Sequence, residues 1–151
     1  AVRKLAEQKV TLIITIDCGT TDVEAVAVAK ELGIDVIITD HHEPKEVLPD
    51  AYAIVNPKLG DSYPFSGLCG SGVVYKLVQA LITEGKKNKI VTLKEGWEKW
   101  WLDMVGLATI ADMVPLVGEN RALAHFGLQV LRKSRRPGLQ QLLYAQKADA
   151  R

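Results

Sequence analysis

Residues 11–42, TLIITIDCGTTDVEAVAVAKELGIDVIITDHH, decide the fold. The run 11–17, TLIITID, is continuous and β-branched, the composition of a parallel strand covered on both faces. In residues 18–22, CGTTD, Gly19 supplies an awkward backbone angle and Thr21 or Asp22 stands as a helix N-cap. Residues 22–32, DVEAVAVAKEL, read as a helix, and Gly33 stands where a left-handed residue ends one. Residues 35–39, DVIIT, repeat the first strand. Strand, helix and strand in this order make a β-α-β unit with parallel strands and a right-handed crossover. The fold class is α/β, a parallel sheet with flanking helices.

Parallel strands joined this way carry their loops to one carboxyl edge, where open α/β sheets bind ligands. Asp17 leaves the first strand there, and Asp40-His41-His42 leaves the second, using two of the three histidines in the chain. Carboxylate and imidazole groups converging on one point suit Mn²⁺, and Zn²⁺ or Fe less specifically, whereas carboxylates alone suit Mg²⁺. A third short strand at 51–55, AYAIV, ends at Asn56-Pro57. It brings Asn56 to or near the same edge, either to stabilise a turn or to face a substrate.

From Gly70 onward the pattern is helical, over 70–82, 97–113 and 118–134, with Pro137-Gly138 before a last helix at 139–146. Residues 85–96, GKKNKIVTLKEG, form a polar connector. Asp112 lies inside the apolar VGLATIADMVPL, where a charge without a partner is costly to bury, so a cation is its expected partner. Asp103 is the competing carboxylate, ranked second because it starts the apolar segment nearer solvent. Gly70-Ser71-Gly72 opens a helix, as turn chemistry or as amide donors to a phosphate. Trp97, Trp100 and Trp101 share one helix face and read as a core stripe, although single-strand binders use such aromatics for stacking. The run RKSRR at 132–136 reads as solvated surface, and His125 as ordinary packing on an amphipathic helix.

At 151 residues, 48% hydrophobic and 25% charged, the chain can build a core. A formal net charge of +1 argues against coating of nucleic acid by bulk electrostatics and leaves room for local basic patches, so a polyanion must be held by specific groups. Cys18 and Cys69, without CxxC spacing, suit a reduced compartment and read as buried fillers. No apolar run is long enough to span a bilayer, and the N-terminus lacks a signal-peptide core, so a cytoplasmic protein without a membrane partner is expected. Ala1 opens on what reads as mid-helix, with Val2, Leu5 and Ala6 at helical spacing.

Asp17-Cys18-Gly19, Asp40-His41-His42, GSGVVYKLVQAL and LDMVGLATIADMVPL, with NRAL at 120–123 and RPGLQQLL at 136–143, resemble the successive motifs of the DHH phosphoesterase family. Within it they resemble the RecJ branch, single-strand-specific 5′→3′ DNA exonucleases of repair and recombination. The resemblance divides the chain into an α/β part of the DHH domain at 1–68 and a helical part of the catalytic core at 69–151. It implies phosphodiester hydrolysis with two metal ions, usually Mn²⁺ and with Mg²⁺ as the alternative, on single-stranded DNA. It makes Asp17 the carboxylate bridging both ions, His41 a metal-bound imidazole, His42 the group facing the scissile phosphate, and Asp112 the last carboxylate ligand. Asp40 then accepts from an imidazole N–H and fixes its tautomer. Asn56, Gly70, Ser71 and Gly72 become substrate-binding candidates.

The family pattern also has an earlier Asp-x-Asp motif, and none occurs in residues 1–151. The expectation is a chain that begins after that motif and stops before the family's C-terminal substrate-binding domain, an incomplete core with little or no activity alone. Two other readings stand beside this one. The first is a DHH phosphoesterase of short oligonucleotides, cyclic dinucleotides or pyrophosphate. The second is a non-catalytic relative that binds DNA or a replication partner.

Overall fold

A computed structural model describes residues 1–60 and 63–146, in two compact units that divide after Val74. The first unit holds helix α1 (Val2–Glu7), strand β1 (Leu12–Ile16), helix α2 (Val23–Glu31), and strands β2 (Asp35–Thr39) and β3 (Ala53–Val55). The strands form one parallel sheet in the order β1-β2-β3. The β-α-β reading of residues 11–42 is what is found.

Helix α2 ends as the sequence requires. Gly33 has a φ of 71°, its N–H donates to Lys30 O, and the Ile34 N–H reaches back to Ala29 O. That paired closure satisfies two carbonyls which the helix end leaves without partners. At the other end Asp22 is the N-cap by position, but its side chain makes no capping hydrogen bond.

In register, Ile13 lies beside Val36 and Thr15 beside Ile38, so these side chains share one face of the sheet. On that face Val36 and Ile38 join Val26 and Ala29 of α2 and Ile34 in a buried cluster, with Val2 and Ala6 of α1 packed against it. The opposite face of β1 differs from expectation, because Leu12, Ile14 and Ile16 are 46%, 49% and 59% exposed. A continuous apolar run reads alike for a strand covered on one face or on two, and β1 is an edge strand among the described residues.

The second unit is helical. Helix α3 (Gly70–Lys87) leads into it, followed by a 3₁₀ turn at Trp97–Trp101 and helices α4 (Leu102–Ala111), α5 (Gly118–Leu131) and α6 (Pro137–Ala145). The single helix expected over 97–113 is two elements. Its first five residues tighten to 3₁₀ and Met113, at a φ of 57°, turns the chain away after Asp112.

Helices α4 and α5 cross at Gly106 and Gly127. A Cβ on Gly127 would stand 2.5 Å from Gly106 Cα and 2.9 Å from Gly106 N. The backbones can approach this closely because neither residue has a side chain. Around the crossing Val105, Leu123 and Ala124 are buried.

The tryptophans do not form a core stripe. Trp97 and Trp100 are 41% and 54% exposed, and Trp97 packs edge-on to Trp101 with ring centroids 4.9 Å apart. The 3₁₀ geometry, with three residues per turn, eclipses positions i and i+3 and spoils the face that α-helical spacing promised. Cys69 is buried as expected, whereas Cys18 is exposed in the turn after β1. No helix among the described residues is long and apolar enough to cross a membrane.

Candidate metal centre

Three side chains meet at the carboxyl edge of the sheet. Beyond the last paired residues Ile16 and Thr39, the ladder continues with Asp17 N–H to Thr39 O at 2.9 Å and Asp40 N–H to Val55 O at 3.1 Å. Asp17 and Asp40 are thereby fixed on neighbouring strands at equivalent depth. Asp17 then adopts a φ of 62°, a left-handed conformation that costs a non-glycine residue about 1–2 kcal/mol and that Asp tolerates better than most. Strain of this kind persists where the surrounding structure demands it.

The bend aims Asp17 at His41, whose Nε2 lies 3.1 Å from Asp17 Oδ1. The His41 and His42 rings sit with centroids 4.7 Å apart. One ligand atom from each of Asp17, His41 and His42 lies within 4.8 Å of the others. Adjacent ligands on one ion, each about 2.1 Å from it, are separated by about 3 Å, so the His41–Asp17 pair is already at ligand spacing. One carboxylate oxygen and two imidazole nitrogens are a donor set that fits Mn²⁺.

Asp40 stands behind this cluster and is 1% exposed. Its Oδ1 accepts from His41 N–H at 2.8 Å, from His42 N–H at 3.2 Å and from the His42 ring Nδ1 at 2.7 Å, and its Oδ2 accepts from Thr20 N–H at 2.9 Å. Burial pushes the carboxyl up, but the hydrogen bonds from Thr20 and His42 outweigh it and hold Asp40 well below the usual carboxylate range. An ionised Asp40 can only accept. His42 Nδ1 therefore donates, which in the neutral ring leaves the lone pair on Nε2.

Asn56 is 7% exposed and its amide is engaged within the fold. Nδ2 donates to the Thr20 hydroxyl at 3.1 Å and to His42 O at 2.9 Å, while Oδ1 accepts from Lys58 N–H. Of the two roles open to it, turn stabilisation is what these bonds describe. Thr20 was not singled out by the sequence, although it is fully buried and joins Asp40 to Asn56. A threonine beside a capping position carries no signal of such a brace.

Gly70 opens α3 against the Asp17 carboxylate, and a Cβ there would stand 2.8 Å from Asp17 Cβ and closer still to the carboxylate. The first turn of α3, with the Val73 N–H bonded to Cys69 O, leaves the preceding amides of Gly70, Ser71 and Gly72 outside the intrahelical ladder. Gly70 and Gly72 are buried and Ser71 half-buried.

Asp112 belongs to the second unit, as the exposed C-cap of α4. The ranking of the two acidic residues by solvent access is therefore reversed. Asp103 is 2% exposed, accepting from Met104 N–H at 2.7 Å, Ser134 Oγ at 2.7 Å and Arg136 Nε at 2.9 Å. Burial of Asp103 needs no metal, because a guanidinium and two donors satisfy it. Asp112 escapes burial because the helix ends beneath it.

Comparison with known proteins identifies the family. The model of the "DHH family, N-terminal domain" matches residues 1–109. The single-stranded-DNA-specific exonuclease RecJ of Bacillus subtilis (strain 168) is 47% identical over 144 residues, covering 95% of this chain and 17% of that protein. The RecJ of Escherichia coli (strain K12) is 40% identical over 149 residues, covering 92% and 25%. Among solved structures, an exonuclease RecJ bound to manganese superposes with a TM-score of 0.82 at 31% identity, over 99% of this chain and 36% of that one. RecJ from Thermus thermophilus in complex with Mn²⁺ superposes with a TM-score of 0.79 at 33% identity, over 95% and 20%. The chain spans about a sixth to a quarter of the length of these curated relatives.

Proposed function

The chain belongs to the DHH family, and from that premise we propose that it carries the metal-binding part of a nuclease that hydrolyses phosphodiester bonds of single-stranded DNA. The observation that supports this most is the convergence of Asp17, His41 and His42 to within 4.8 Å. The relatives named as single-stranded-DNA-specific exonucleases supply the substrate class, and the manganese-bound neighbours supply the metal.

In this reading Asp17 and His41 hold a Mn²⁺ ion and His42 Nε2 is directed to the metal or to the scissile phosphate. A metal held by these residues would supply a water of lowered pKa and neutralisation of charge developing on the phosphoryl oxygens. Asp40 orients His42 and keeps its ring in the one tautomer. The Gly70–Gly72 amides face the anionic substrate, and Asp112 contributes a further carboxylate ligand. A two-ion site, 5′→3′ polarity and a cytoplasmic place in DNA repair and recombination belong to the same proposal.

The experiment is a calorimetric Mn²⁺ titration of the chain against Asp17→Ala and His41→Ala. Each variant is expected to bind at least tenfold more weakly, and unchanged affinity in both would overturn the site. Labelled single-stranded DNA incubated with Mn²⁺ is expected to be cut slowly by the unaltered chain, near the detection limit, and not by either variant.

A further inference from the structure

Two features that the sequence kept apart come together in the second unit. The recess of about 680 Å³ at the end of α5 is lined by Trp100, Asp103, Lys133, Ser134, Arg135 and Arg136. It joins the exposed indole of the 3₁₀ turn to the basic run that follows the helix. Within it Asp103 is committed to Ser134 and Arg136, so the single carboxylate and one of the three cations neutralise each other. Lys133 and Arg135 have no ion-pair partner among the described residues, and both are exposed. Among the described residues the recess therefore keeps two positive charges without an ion-pair partner beside Trp100, which is 54% exposed.

An exposed indole with two free cations fits a ligand that is aromatic and anionic at once. A nucleotide of an unpaired strand is such a ligand, because its base can stack on the indole while the flanking phosphates meet the cations. A bare anion makes no use of Trp100, and a duplex hides its base faces. We propose that this recess is a single-stranded-DNA contact in which a base stacks on Trp100 and the adjoining phosphates are held by Lys133 and Arg135. Asp103 and Arg136 act as the frame: the buried carboxylate fixes Ser134 and Arg136, and with them the turn that carries the two free cations. This rests on the single-stranded-DNA reading above and adds to it a binding site built from other residues.

The test measures binding without hydrolysis, by fluorescence anisotropy of a dye-labelled oligothymidylate in EDTA. Three variants are compared with the unaltered chain: Lys133→Ala with Arg135→Ala, Trp100→Ala, and Trp100→Phe. The double variant is expected to bind at least tenfold more weakly and to flatten the salt dependence of log K by about 0.7 for each phosphate that is no longer neutralised. Loss of the indole is expected to weaken binding about fivefold or more, and Trp100→Phe to restore most of it. Wild-type affinity in both the double variant and Trp100→Ala overturns the recess. Equal affinity for a duplex of the same length overturns it as well, because a paired base cannot reach the indole. Either result leaves the metal site to its own Mn²⁺ titration. A chain that binds no oligonucleotide at all overturns both the recess and the single-stranded-DNA reading.

Discussion

Asp40, which the resemblance makes an acceptor for one imidazole N–H, takes four donors in the fold: the His42 ring Nδ1 and the backbone N–H groups of His41, His42 and Thr20. Because its folded carboxyl sits below the ordinary value of about 3.9, it contributes stability that is present above that pH and lost as pH falls through the lower folded value. Asp40→Asn is therefore expected to be less stable at neutral pH, by about 1–3 kcal/mol for a buried charged acceptor. Its stability should also depend less on pH below 4 in urea titrations of metal-free protein. An unchanged acid limb would show that Asp40 is not held ionised. Gly70 is the complementary case, a residue whose role is to be small. Gly70→Ala would force the Asp17 carboxylate aside, and a loss of Mn²⁺ affinity with little change in helix content is the expected outcome. The sequence marks Gly70 as a turn residue, but the identity of its neighbour across the fold is invisible there.

At the scale of elements, the α4–α5 crossing is the most specific piece of packing in the second unit. Gly127→Ala places a methyl against the Gly106 backbone and Leu102 O, atoms that cannot rotate away. A destabilisation of about 1–3 kcal/mol is expected from overpacking, in spite of alanine's better helix propensity. Thermal unfolding followed by circular dichroism checks it, and a rise in midpoint would mean the helices can separate at no cost. Elements were largely legible in advance where the period was strong, as in α2 and its Gly33 terminus, or in the parallel pair Leu12–Ile16 and Asp35–Thr39. The 97–113 segment was not legible. Three tryptophans at i, i+3 and i+4 satisfy an α-helical stripe and a 3₁₀ turn equally well, and only the packing around them selects between the two.

For the whole molecule, the carboxylate and imidazoles on the sheet edge lie in the first unit, and Asp112 and the basic recess in the second. Low turnover by these 151 residues is expected, because their length includes no Asp-x-Asp to complete the ligand set that the resemblance implies. Rapid, Mn²⁺-dependent release of nucleotides would show that the residues present suffice. By itself the sequence determined the β-α-β unit, the edge at which Asp17 and Asp40-His41-His42 emerge, and the family. These follow from periodicity, from turn chemistry and from the order of motifs along the chain, all of which are local or linear properties. Tertiary structure alone decided which carboxylate is buried, Asp103 rather than Asp112, and that the partner of that charge is an arginine 33 residues away. It alone brought Trp100 to the basic turn. Such pairings depend on where a helix stops and what folds back over it, and desolvation, which sets their energy, is a property of the packed chain and not of any stretch of it.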